Sequence, residues 1–242
     1  MSKSRKILFF MLIITIVGAF STISQCSAES FMVKFEKEIG FSSYQQIVRD
    51  KRVITLPEAK AQSLYGMFNR LTQASSRHNE IKYSLTVVED PEVNAYALPG
   101  GYVFINTGLL DYAETEGEVA GVLAHEIAHI DRKHGINAVS RAVGFSIVLQ
   151  LVTNKSDNPD RTAQIGALTI GLAQKGYSRG AEYEADRYGV RFMTAAGYSK
   201  NEMVSFFRKL EKKYGSGSNF ALLQLVSTHP PTSERIKQIE NM

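Results

Sequence analysis

The chain has a single cysteine, Cys26, and no tryptophan among its 242 residues. One cysteine excludes an intramolecular disulfide, so stability has to come from a buried core and, where side chains allow it, a bound metal. Internal repeats and low-complexity tracts are absent too, which removes repeat and disordered architectures from consideration. The apolar run near the start, Ile7 to Phe20, has 14 residues, short of the roughly 18–20 that a membrane-spanning helix needs. What is present, 44% hydrophobic and 21% charged residues, is the balance of a soluble globular protein with room for one well-buried domain.

Lys3, Arg5 and Lys6 precede that apolar run, and small and polar residues lead from it to Cys26-Ser27-Ala28. This is the layout of a secretory signal peptide ending at Ala28, with residues 29–242 forming the mature domain. A short retained anchor and a lipoprotein with its lipid on Cys26 are the alternatives, although Gln25 fits poorly before a lipidated cysteine. Each route puts the protein in the periplasm or at a membrane. The net charge of +4 includes three leader cations, so the mature chain carries +1. No nucleic-acid partner is expected at that charge.

Helical spacing of Leu64, Met67, Phe68 and Leu71 predicts a helix over Pro57–Arg77. Alternation of Ile81, Tyr83, Leu85 and Val87 predicts a half-buried strand, and two strand-like runs flank the turn signal Pro99-Gly100-Gly101. A helix with an acidic start (Asp111 to Glu118) follows, ending at Gly135 after the basic residues Arg132, Lys133 and His134. Segments 137–152 and 163–173 are apolar but short, which suits buried helices or a hairpin in peripheral contact with a membrane. Further helices are expected over Arg179–Ala195, Lys200–Tyr214 and Ser233–Asn241, with "GSGS" (Gly215–Ser218) as a break.

"VLAHEIAHIDRKHG", Val122–Gly135, carries the chemistry. On a helix His125 and His129 lie one turn apart on one face and can hold one cation between them. Glu126 sits about 100° round the helix, beside such a cation, where a general base has to be. The alternative is a solvated face rich in histidine, but burying these groups in "VAGVLAHEIAHI" without partners would cost several kcal/mol. His134 points elsewhere on the helix and is expected to be a capping or surface residue. A catalytic zinc needs a third protein ligand. "SRGAEYEADRYG", Ser178–Gly189, offers Glu182 and Asp186 on one helix face, with Glu184 nearly opposite. One carboxylate could bind the metal while the other holds a ligand histidine by its free ring N–H. A charged solvent face flanked by Arg179 and Arg187 fits the same pattern.

"HEIAH" followed by "SRGAEYEAD" resembles the zinc metallopeptidases that include the CAAX prenyl endopeptidases and the bacterial envelope proteases HtpX, BepA and LoiP. "NAYALPGGYVFINTGLL" and "STHPPTSERI" extend the resemblance from Asn94 to Ile236. It implies an α+β zincin-type fold, a predominantly helical single domain with a small antiparallel sheet beside the active-site helix. It implies one Zn2+ per chain on His125, His129 and Glu182, Glu126 as catalytic base, and Asp186 behind a ligand. Asn94, Ala95, Tyr96, Ala97 and Leu98 would form the edge strand that pairs with a polypeptide substrate. His229 would lie near the metal, as an oxyanion donor or as a fourth ligand that keeps the enzyme latent. Arg235 would anchor its loop or reach an active-site carboxylate, and Arg179 would support the site. The expected activity is endopeptidase cleavage of extended or misfolded envelope proteins. The rival is a chaperone or binding protein that keeps the zinc site without turnover.

Overall fold

A computed structural model describes residues 31–144, 146–147, 159–215, 227–230 and 233–242. The expected leader, the end of the 137–152 segment and most of the "GSGS" break lie outside the described residues.

A first helix, α1, spans 31–50. Helix α2 (Glu58–Gln73) starts after Pro57, whose fixed φ suits the position just before a helix. It turns Leu64, Met67, Phe68 and Leu71 inward as their spacing predicts. Three strands follow, β1 (Ser84–Val88), β2 (Ala95–Leu98) and β3 (Tyr102–Asn106), in the order β1-β3-β2. Gly100 and Gly101 take φ of 80° and 100° in the turn between β2 and β3, a region only glycine enters freely. That turn makes β2 antiparallel to β3, as expected. β1 instead runs parallel to β3, so the sheet is mixed: the longer 89–94 connection carries the chain past the position of β3 before β2 forms.

The sheet separates two helical layers. Val103 and Ile105 join the main core, while Phe104 and Leu98 pack on the opposite side with Ile47 of α1 and Ala173. After the short helix α3 (Thr107–Tyr112), α4 (Glu116–Asp131) runs through the main core, and every residue from Gly117 to Asp131 is buried. Thr115 caps it by accepting from the Glu118 N–H at 3.1 Å.

Helix α4 ends at Asp131, four residues before the expected stop. Lys133 adopts a left-handed conformation (φ 61°) and a new helix, α5 (His134–Val143), begins at once, so Gly135 lies inside a helix. Helices α6 (Pro159–Lys175), α7 (Arg179–Ala195), α8 (Lys200–Gly215) and α9 (Ser233–Glu240) complete the described chain. Ile136 and Val139 of α5 and Ile165 of α6 pack on Phe35 and Ile39 of α1, which uses much of the apolar character of those segments. Among the described residues no helix is long and apolar enough to cross a membrane.

Two devices hold α4 for its task. Gly189 lets α7 close on it: a Cβ there would stand 3.2 Å from the backbone nitrogen of His125. At the other end, Asp131 accepts from Ser75 Oγ at 2.7 Å and Ser76 N at 2.7 Å. Beside it Arg77 donates to Ile130 O at 2.8 Å and pairs with buried Glu36 at 2.6 Å, tying α1 to the end of α4.

Candidate metal centre

His125 and His129 of α4, Glu182 of α7 and His229 on the segment before α9 converge in the interior, each 4% exposed or less. One ligand atom from each lies within 4.8 Å of the others. His125 Nε2 is 3.0 Å from His129 Nε2 and 3.2 Å from His229 Nδ1. Glu182 places its oxygens 3.4 Å from each of the first two nitrogens and 3.0 Å from the third. Four donors at about 2.0–2.2 Å around a tetrahedral zinc are separated by roughly 3.3–3.6 Å. The five separations given lie within a few tenths of an ångström of that spacing. Three ring nitrogens and a carboxylate converging on one point are the N,O donor set that zinc takes. A cation at the centre satisfies all of them, and the donor set fits one.

The groups behind the cluster are charged and paired. Asp186, on the same face of α7 as Glu182, places Oδ1 2.9 Å from His125 Nδ1, although the ring N–H is imperfectly aligned on it. Arg235 of α9 grips Asp186 through Nε and Nη2 at 2.7 and 2.6 Å, and its Nη1 is 3.1 Å from Glu182. Burial works against charge on His125, but Asp186 and Glu182 outweigh it and raise the imidazole to about 9. At His129 burial wins and the imidazole is pushed well down. Burial also opposes charge on Glu182, yet His229, His125 and His129 hold its carboxyl far below the usual range.

Glu126 lies beside this group, 1% exposed, with Oε1 3.6 Å from His229 Nε2. Burial raises its carboxyl, Glu182 adds to the rise, and His229, His125 and the Ala97 N–H oppose it. That last contact comes from β2, an edge strand of the sheet: Ala97 meets the carboxylate, Ala95, Tyr96 and Leu98 share its strand, and Asn94 just precedes it. Arg179 is not brought in. It is exposed on the first turn of α7, and no described contact joins it to the cluster. A helix start near a site does not aim its side chain, and this one faces solvent.

Two residues join the site against or beyond expectation. His134, expected to be a capping or surface residue, is 9% exposed, with Nδ1 2.9 Å from His129 Nδ1. The left-handed Lys133 breaks the helical phase and swings His134 back over α4, which counting along one helix cannot foresee. Its Nε2 lies 3.2 Å from Glu184 Oε2, and Glu184 also accepts from Arg132 Nε at 2.8 Å. Tyr177 stacks on His129 with ring centroids 4.4 Å apart. Its only sequence signal is its place just before "SRGAEYEAD".

The model of peptidase family M48 matches residues 58–242. The chain is 35% identical over 164 residues to a mitochondrial metalloendopeptidase OMA1 of Arabidopsis thaliana, covering 68% of this chain and 32% of the relative. It is 29% identical over 208 residues to the OMA1 of Schizosaccharomyces pombe, covering 85% and 60%. The β-barrel assembly-enhancing protease of Escherichia coli is 27% identical over 181 residues, covering 69% and 36%. The chain thus spans about a third to three fifths of the length of these relatives.

Proposed function

The chain belongs to peptidase family M48, and from that premise we propose that it is a zinc-dependent endopeptidase acting on extended or misfolded segments of envelope proteins. The observation that carries this reading is the buried set His125, His129, Glu182 and His229 with Glu126 beside it. Zinc held there supplies a Lewis acid that polarises the scissile carbonyl and acidifies water. Glu126 takes the proton from the attacking water and returns it to the leaving amine. Its buried, upward-shifted carboxyl suits a group that must both accept and release a proton. An extended substrate adds to the sheet along β2, with Ala97 nearest Glu126. Asp186 and Arg235 hold His125 and the His229 loop, the latter through the Arg235 bond to Pro230 O at 3.0 Å.

His229 favours a resting form. Its Nδ1 stands where a fourth donor would, so the loop has to open before substrate water can enter. Export through the 1–28 leader brings the enzyme to envelope substrates, in keeping with one relative's name as a β-barrel assembly-enhancing protease. Mass spectrometry of the mature protein checks the leader, since Glu29 or a lipid-bearing Cys26 would stand first.

The test compares zinc content and casein cleavage in wild type, Glu126→Gln and His229→Ala. Wild type should hold about one zinc per chain. Glu126→Gln should keep the metal and lose roughly 10²–10⁴-fold in hydrolysis, and His229→Ala should cut faster than wild type. Folded wild type that takes up no zinc would sink the proposal. A Glu126→Gln protein with full cellular function would favour the non-proteolytic chaperone.

A further inference from the structure

His129 needs a partner for the nitrogen that faces away from the cluster, and its surroundings offer an unusual one. A neutral imidazole that turns the Nε2 lone pair inward carries its proton on Nδ1. That N–H is buried, and leaving it unsatisfied would forfeit its hydrogen bond with no water to replace it. Another imidazole nitrogen, His134 Nδ1, stands 2.9 Å away.

We infer that His134 is a positioning residue: it accepts the outward N–H of His129 and, through Glu184 and Arg132, fixes the tautomer and rotation in which His129 presents Nε2 to the metal. The inference rests on the metallopeptidase reading above. Two facing ring nitrogens can share only one proton. If His129 holds it, His134 carries its own proton on Nε2, 3.2 Å from the acceptor Glu184 Oε2, and Glu184 Oε1 accepts from Arg132 Nε at 2.8 Å. Every donor in that chain meets an acceptor. The reverse assignment fails at both ends. It would turn an N–H of His129 into the donor cluster and aim the bare Nε2 of His134 at a carboxylate. Glu184 therefore selects the tautomer of a ring one residue removed from it. The stack of Tyr177 on His129 restrains the ring's rotation independently. Glu184 sits between Glu182 and Asp186 in sequence but points to the far end of α4, so all three acidic residues of α7 serve the histidine cluster.

The test is competition for zinc against a chromogenic chelator, with melting of the zinc-free proteins as the control for folding. His134→Ala should bind zinc about 10–100-fold more weakly than wild type, the usual effect of removing such a partner. His134→Gln, whose amide oxygen can accept the same N–H, should recover most of the loss. Zinc-free melting should change little. Nitrogen NMR of the zinc-loaded wild type should show the proton on Nδ1 of His129 and on Nε2 of His134. Wild-type zinc affinity in His134→Ala, or a proton on Nδ1 of His134, overturns the inference and leaves the metallopeptidase reading intact. Should His134→Ala fail to fold, Glu184→Ala decides: weaker zinc binding supports the relay and unchanged binding overturns it. A wild type without zinc refutes the metal site itself, and this inference with it.

Discussion

His125 and His129 both turn Nε2 into the cluster and leave Nδ1 to be met from outside, yet the two outer arms are built differently. Behind His125 stand Asp186 and Arg235, with side chains 1% and 3% exposed. Behind His129 stand a second imidazole and then Glu184 and Arg132, with side chains 32% and 33% exposed. The first arm puts full charges in the interior, where they interact strongly but become costly if separated. The second places a neutral ring in the interior and leaves the charges at the surface, where water screens them. The same geometric demand is thus coupled to folding stability on one side and largely uncoupled on the other.

Cutting the inner arm should have the largest effect. Arg235→Ala takes from buried Asp186 its bidentate guanidinium partner and should cost about 3–5 kcal/mol in urea unfolding. A loss below about 1 kcal/mol would mean that burial is not what distinguishes the arms.

Glu118 separates burial from closeness to the metal site. It is 1% exposed and lies on the first turn of α4, accepting from Lys209 at 2.6 Å, Glu114 N at 2.8 Å and Ser205 at 3.0 Å. Burial pushes its carboxyl up, but these partners hold it below the ordinary value of 4.5. A depressed folded pKa gives stability that is complete above the unfolded value and is lost as pH falls through the folded one. Wild type should therefore exceed Glu118→Gln by about 1–2 kcal/mol at neutral pH. The two curves should converge as pH falls below about 4. A constant gap across that range would show that the carboxylate charge contributes nothing.

The smallest effect on stability belongs to the outer arm. Arg132→Ala should cost under about 1 kcal/mol in the same unfolding experiment. A loss equal to that of Arg235→Ala would break the comparison outright.

How much of this was legible beforehand follows from the range of each interaction. The spacing of His125, Glu126 and His129, and of Glu182 and Asp186, reads directly from helical periodicity, and α7 spans Arg179–Ala195 as expected. Hydrophobic alternation likewise announced β1, and the Pro99-Gly100-Gly101 turn between two strand-like runs announced β2 and β3. The parallel course of β1 was not legible, because a connection of six residues does not dictate on which side of β3 the strand returns. Nor was the role of His134, since nothing in "DRKHG" announces that a lysine will take a left-handed conformation and reset the helical phase.

The sequence by itself determined which groups could share a helix face: two imidazoles with a base beside them, and two carboxylates one turn apart. Local backbone geometry sets those relations wherever the helix goes. Only the tertiary structure decided that His229 would stand 3.0 Å from Glu182, that Arg235 would reach Asp186, and that His134 would meet His129. Those distances depend on how α4, α7 and α9 pack on one core, and packing is a property of the whole chain.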